Sequence, residues 1–272
     1  MSNTPRRLSL AAGVMPDFTP QETVAAAAAA GWDSAGVWVD VETWTEATTR
    51  EVSRRLSDGG LTALDAEVIW IGAGADNPDH LRLIDIAAEL GAANVLAVSS
   101  AASFAETADK LATLCAHAAE VGVRVSLEFG AFTTVRDLGE ALEVLRLCGR
   151  PDAGLLVDPL HFARTGGRPA DLAAVDPRRF AYAQFCDAPA QGPSRDDVPA
   201  IIEEALDLRL NPGDGELPLA ELLAALPDGA PLSVELRSKA LRERWPDATE
   251  RSKALLAATR DWMDRAFKTP SS

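Results

Sequence analysis

Short apolar runs alternate with amphipathic stretches of helix length along the chain, and the alternation recurs eight times. The runs are Leu8 to Ala12, Ser34 to Val39, Leu61 to Trp70, Asn94 to Val98, Arg124 to Phe129, Gly154 to Asp158, Phe180 to Cys186 and Pro231 to Leu236. Val, Leu and Ile dominate them, as in strands covered on both faces. Between them lie Pro20 to Ala30, Trp44 to Leu56, Leu81 to Leu90, Phe104 to Val121 and Leu138 to Leu147, all of helix length. Strands that alternate with helices predict parallel pairing through crossover connections, and eight such units predict an α/β protein, a (β/α)8 barrel.

Local signals agree. Thr19 before Pro20 is a helix start, Gly31 and Gly91 stand where C-terminal caps belong, and the run Ala25 to Ala30 reads as a helix face rather than low complexity. The stretch Asp187 to Leu217 breaks the rhythm: it is rich in Pro, Gly and Asp and reads as a long loop with a functional reason for its length.

Length and composition narrow the picture further. The 272 residues match the roughly 250 of one barrel and show no linker, so residues 1–272 are read as one domain. With 26 Lys plus Arg against 41 Asp plus Glu, the net charge of −15 repels a phosphate backbone, which excludes nucleic acid as a partner. Cys115, Cys148 and Cys186 form no CxxC pair and suit a reducing compartment. Met1 to Arg7 is polar and basic and leads into no apolar stretch of signal-peptide or membrane-span length. The expectation is a cytoplasmic protein with a small-molecule substrate and no membrane partner; its oligomeric state, homo-oligomer included, stays open.

In such barrels the chemistry lies at the C-terminal ends of the strands. Four polar residues end the last four apolar runs: Glu128, Asp158, Gln184 and Glu235. A bare carboxylate facing a barrel interior costs several kcal/mol, so it must be paired, protonated or bound to a cation. An internal salt-bridge network is the alternative reading, but the strands supply no Lys, and three carboxylates without a nearby His or Lys point to a metal.

The order Glu128, then Asp158-Pro159-Leu160-His161, then Gln184, then Glu235 resembles the metal site of the xylose-isomerase-like TIM barrel superfamily. The segment Arg209-Leu210-Asn211-Pro212-Gly213-Asp214-Gly215 is similar to a loop preceding the last strand in these proteins, and the likeness runs from about Leu8 to the final helix. The group includes ketose epimerases, inosose isomerases and dehydratases, and 3-dehydroshikimate dehydratases. The resemblance implies that Glu128, Asp158, Gln184 and Glu235 are the metal ligands and that Glu128 and Glu235 carry protons. It also places His161 against a substrate oxygen or as the acid/base of a dehydratase. Many members have His where this chain has Gln184, and an all-oxygen set favours Mn2+ or Mg2+, with Co2+ also acceptable, over Zn2+.

The expected activity is therefore isomerisation or epimerisation of a sugar or cyclitol through an enediolate stabilised by the cation. The alternative is a lyase of the 3-dehydroshikimate or inosose dehydratase type, since the same intermediate expels a β-hydroxyl. The DNA-repair endonucleases of this fold use a His-rich multi-zinc site, and this chain has only three His. A metal-free barrel that senses a sugar is the remaining class, and the intact ligand set argues against it.

Around this constellation, Glu67, Arg209, Trp38 and Trp70 are candidates for substrate contact. Glu67 could instead pair across the barrel, the tryptophans could fill its top, and Arg195 and Arg209 could be exposed residues without a role. His80 reads as a rim residue, His117 as surface or packing, and Cys186 as pocket lining rather than a nucleophile.

Overall fold

In the computed structural model, which describes residues 6–267, every apolar run contains a strand. These are β1 (Leu8–Leu10), β2 (Ser34–Trp38), β3 (Thr62–Ile71), β4 (Asn94–Ser99), β5 (Arg124–Glu128), β6 (Gly154–Leu156), β7 (Ala183–Phe185) and β8 (Leu232–Val234). Of the polar start of the chain, Met1 to Pro5 lie outside the described residues, whereas Arg6 ties down to the carbonyls of Leu223, Pro227 and Ala230.

Every ladder is parallel, in the order β6-β5-β4-β3-β2-β1-β8-β7. The ring closes where β7 meets β6, and there the Gln184 N–H donates to the Val157 carbonyl at 3.0 Å. The seam thus lies beside two of the residues singled out above. The result is a nearly closed TIM barrel with helices between its strands.

Alternation along each strand sorts side chains into two layers. Val95 and Ala97, Val125 and Leu127, Leu155 and Val157, and Leu232 and Val234 face the surrounding helices in one apolar shell. The intervening positions face the barrel interior, where Leu64, Leu96, Val98, Leu156 and Tyr182 pack together. Glu128 and Gln184 belong to this inward set, on the same strands, at the C-terminal end.

The helix boundaries follow their signals. Helix Pro20–Ala30 starts at Thr19, whose hydroxyl accepts from the Glu22 N–H while the Glu22 carboxylate accepts from the Thr19 N–H. It ends at Gly31, whose φ of 86° only glycine adopts readily. Strand ends are shorter than the apolar runs. Asp158 leaves β6 to cap helix Pro159–Arg164, accepting from the His161 N–H at 3.0 Å.

The expectation of a structureless loop over Asp187 to Leu217 is corrected. Helix Val198–Asp207 lies within it, started by Asp197, which accepts from the Ala200 N–H, and by Pro199 in the first turn. Ile201 and Ala205 bury one face, and Glu204 forms a buried ion pair with Arg164. The Pro, Gly and Asp content of the flanks conceals this segment when composition is read over the whole stretch. No helix among the described residues is long and apolar enough to cross a membrane.

Candidate active site

Parallel strands bring the four candidate residues to one end of the barrel. Glu128 ends β5, Asp158 follows β6 by two residues, Gln184 lies in β7 and Glu235 follows β8; all four are buried. One end of the Gln184 carboxamide lies 2.6 Å from Glu128 Oε1 and 3.1 Å from Asp158 Oδ2. With nitrogen at that end, the amide donates to both carboxylates. With oxygen there, three oxygens face one another and require a proton or a cation between them.

On the other side of Asp158 stands Arg209. Its Nη1 contacts Asp158 Oδ2, lies 3.0 Å from Glu235 Oε2 and donates to the Glu235 carbonyl at 3.3 Å. The polar groups therefore form a chain: Glu128, Gln184, Asp158, Arg209, Glu235. The expectation that the carboxylates have no cationic partner is corrected here. Arg209, only 3% exposed, comes from the segment after helix Val198–Asp207 rather than from a strand. Among the described residues, no three His, Cys, Asp or Glu side chains form a ready-made ligand group.

A residue that the sequence reading passed over holds Arg209 in place. Asp187, buried just after β7, accepts from the N–H groups of Ala188, Gly213, Gly215 and Leu217 at 2.8–3.1 Å. The loop is thereby folded onto the barrel end, and the Asp187–Leu210 bridge fixes its start. Gly215 has no room for a side chain, since a Cβ would lie 2.4 Å from both the Ala188 carbonyl and Asp187 Oδ1. An acidic residue directly after an inward-facing strand was the available signal for Asp187.

Two further carboxylates enlarge the site. Glu67 Oε1 accepts from the Ala12 N–H at 3.1 Å, and Asp65 is buried near the Tyr182 hydroxyl. Glu67 thus sits in the interior, with its hydrogen bond going to the main chain rather than to a basic side chain. Asp65, Glu67, Glu128, Asp158 and Glu235 together outnumber the nearby cations, Arg209 and the half-buried Arg237.

Their protonation equilibria reflect this crowding. Burial pushes Glu128 and Glu67 well above the usual carboxylate range, and neighbouring carboxylates push the same way. Burial raises Glu235 against the opposing pull of Arg209, and takes Asp65 up to about 7. At Asp158 burial is outweighed by Arg209 and the His161 N–H, leaving it below its ordinary value. His161, buried and edge-on to Phe132 at 5.4 Å, is pushed down to about 4 by burial and is neutral at pH 7. Cys186 Sγ lies 3.8 Å from Asp158 Oδ2, and burial raises its thiol, so no thiolate forms near neutral pH.

The two tryptophans part company. Trp38, 42% exposed, lines a cavity of about 240 Å3 with Gly13, Met15, Phe18 and Arg237. Trp70, 44% exposed, donates to Ser100 Oγ and lines a different cavity of about 450 Å3 with Asn77, His80 and Lys110. His117 pairs with Asp85 on the helix surface.

A profile of the xylose isomerase-like TIM barrel family matches residues 24–265. The chain belongs to that family. The 3-dehydroshikimate dehydratase of Pseudomonas aeruginosa is 27% identical over 242 residues, which covers 82% of this chain and 37% of that protein. The inosose isomerase of Halalkalibacterium halodurans is 31% identical over 120 residues, covering 42% of this chain and 40% of that protein. In both cases the match takes in about two fifths of the curated relative's own length. A solved structure described as an IolI protein with a binding zinc atom has a TM-score of 0.78 at 18% identity, covering 97% of this chain and all of that one. That likeness concerns the fold.

Proposed function

We propose that this protein is a divalent-metal-dependent isomerase or epimerase of a small polyhydroxylated carbonyl compound, a sugar or cyclitol. The observation that carries the reading is the excess of buried carboxylates over cations at the catalytic end of the barrel. Such an excess is costly unless protons or a bound cation offset it. Oxygen donors for a cation are at hand: Glu128 and Asp158 turn oxygens toward the same end of the Gln184 amide, and Glu235 lies across Arg209 from Asp158, so that a bound ion would draw these groups together. Glu128, Asp158, Gln184 and Glu235 would hold the ion, and an all-oxygen set favours Mn2+ or Mg2+, with Co2+ acceptable, over Zn2+.

When bound, the ion supplies positive charge that polarises a substrate carbonyl. Glu128 and Glu235 then move the proton: one removes it from the carbon beside the carbonyl, and the other returns it. Carboxyls pushed above their usual range suit such exchange near neutral pH. Neutral His161 offers a hydrogen bond to a substrate oxygen, Arg209 keeps Asp158 ionised, and Glu67 and Trp38 complete the substrate wall.

A lyase reading is favoured by one observation: the match to a dehydratase covers 82% of the chain, against 42% for the isomerase. Both readings use the same proton abstraction and differ in whether a β-hydroxyl leaves. The test is a screen of keto-sugars, inososes and 3-dehydroshikimate with the chelated protein, followed by addition of Mn2+, Mg2+, Co2+ or Zn2+. Chelation should abolish turnover, with Mn2+ or Mg2+ restoring more than Zn2+. Full activity of the metal-stripped protein would sink the proposal, and the products separate epimerisation from loss of water.

A further inference from the structure

We infer that the substrate carries a carboxylate, held by Arg237 in the cavity walled by Trp38, Phe18 and Met15. The inference rests on reading the end of the barrel as the substrate site. It concerns Arg237, two residues past the proposed ligand Glu235, whose Nε donor has no partner in the protein.

Arg237 follows Glu235 by two residues, and its side chain lines the 240 Å3 cavity. Its Nε is shut off from solvent and has no hydrogen-bond partner. Among the described residues it enters no ion pair either, in contrast to Arg209, Arg242 and Arg251, which each meet a carboxylate. Buried guanidinium donors without acceptors are rare in folded proteins because desolvation goes uncompensated. The carboxylates whose charge Arg237 feels, Glu67 and Glu235, lie beyond ion-pair distance of it: Glu67 Oε1 accepts from Ala12, and Glu235 Oε2 faces Arg209. The missing acceptor must therefore come from outside the chain.

The cavity lies beside the reacting end of the barrel. Ala12, which donates to Glu67, and Gly13 both line it. A Cβ at Gly13 would lie 2.9 Å from Glu235 Oε1 and 3.3 Å from Arg237 Cδ, so glycine keeps the space between the two side chains clear. In this reading a molecule with one end at Arg237 extends past Gly13 toward Glu235 and Glu67. Trp38, a large aromatic left 42% exposed, offers its face to the carbon skeleton between those ends.

The charge balance selects among anions. One guanidinium matches one carboxylate through two parallel N–H···O bonds. A phosphate dianion in the same place would bring a second negative charge that a single guanidinium does not match. The structure therefore assigns a carboxylated polyol or ring compound to the site, in preference to a neutral or phosphorylated sugar.

The test is isothermal titration calorimetry on the whole protein with three probes: shikimate, its methyl ester and glucose 6-phosphate. Shikimate should bind at least tenfold more tightly than the ester. Arg237→Met should bring the acid down to the level of the ester, and Arg237→Lys, which keeps the charge without the fork, should retain part of the preference and report an intact fold. The preference should persist in chelated protein, because Arg237 is not among the proposed ligands. Metal-independent turnover would thus defeat the proposed function while leaving the acid-to-ester ratio in place. Equal binding of acid and ester, a preference that survives Arg237→Met, tighter binding of glucose 6-phosphate than of shikimate, or no binding of any probe would overturn the inference.

Discussion

The shell between strands and helices and the interior of the barrel are built from the same eight strands, yet they are opposite in character. In the shell, residues such as Leu111, Val125, Leu127, Leu155 and Val234 are fully buried among other apolar side chains. Each such burial stabilises the fold by about 1.5–3 kcal/mol. Inside the barrel the apolar cluster is small, the hydroxyls of Ser9, Ser126 and Ser233 lack protein partners, and carboxylates crowd the C-terminal end. Every one of those charges costs stability unless it is matched. The contrast shows a division of labour: the shell holds the fold so that the interior can keep groups that oppose it.

Five substitutions would break or sharpen this contrast. Arg209→Met removes the cation between Asp158 and Glu235. Denaturant unfolding of metal-free protein should show a loss of about 3–5 kcal/mol, the scale for stranding buried partners. A loss below about 1 kcal/mol would mean that protons or water already replace Arg209.

Leu111→Ala in the shell should cost about 2–5 kcal/mol through lost burial and a cavity, with turnover per folded molecule unchanged. Loss of turnover at temperatures where the variant is folded would show that shell and interior are coupled.

Glu128→Gln or Glu235→Gln should act in the opposite sense. Turnover should fall by at least about 100-fold, equivalent to about 2.7 kcal/mol of barrier. In metal-free protein the melting temperature of Glu128→Gln should stay level or rise, because burial and neighbouring carboxylates disfavour its charge, whereas Glu235→Gln also loses the pair with Arg209 and should melt lower. Near-normal kcat in both variants would remove these residues from the proton path.

The smallest effect belongs to the rim, where Asp17 pairs with buried Arg251. The hydrogen bond from Arg251 holds the Asp17 carboxyl below its ordinary 3.8, against a smaller opposing effect of burial. A depressed folded-state value means that this contribution is present above pH 3.8 and is lost as pH falls through the lower folded value. Thermal melts should therefore show the wild-type advantage over Asp17→Asn at pH 6–7 shrinking below about pH 4. Solvent exposure of Asp17 limits the difference to about 1–3 °C. A pH-independent difference would refute the ion pair as its source.

What the chain determines locally was legible before any coordinates. Eight apolar runs specified eight strands, Thr19 and Glu22 specified a helix start, and a polar residue at the end of an apolar strand pointed to Glu128, Asp158, Gln184 and Glu235. Alternation with a period of two residues settles which side of a strand each residue takes, so the convergence of these four at one barrel end follows from parallel pairing alone. Helix Val198–Asp207 was also encoded locally, in Asp197, Pro199 and the Ile201/Ala205 face, but it is short and flanked by turn-rich sequence.

Tertiary structure alone decided the rest. Arg209 meets Asp158 across 51 residues of sequence, and no local period records such a meeting. Trp38 and Trp70 both end strands, yet one shares a cavity with Arg237 and the other with His80, because the segments following β2 and β3 run to different places. That Arg209 meets two carboxylates depends on where Asp187 draws the Gly213–Leu217 loop against the barrel, and Arg237, two residues past Glu235, meets none within ion-pair distance. Strand and helix formation answer to neighbours a few residues away, whereas charge pairing answers to distance in space. The sequence by itself therefore determined the barrel and the C-terminal end that gathers its polar residues, and only closure of the barrel decided which buried charges are matched and which are not.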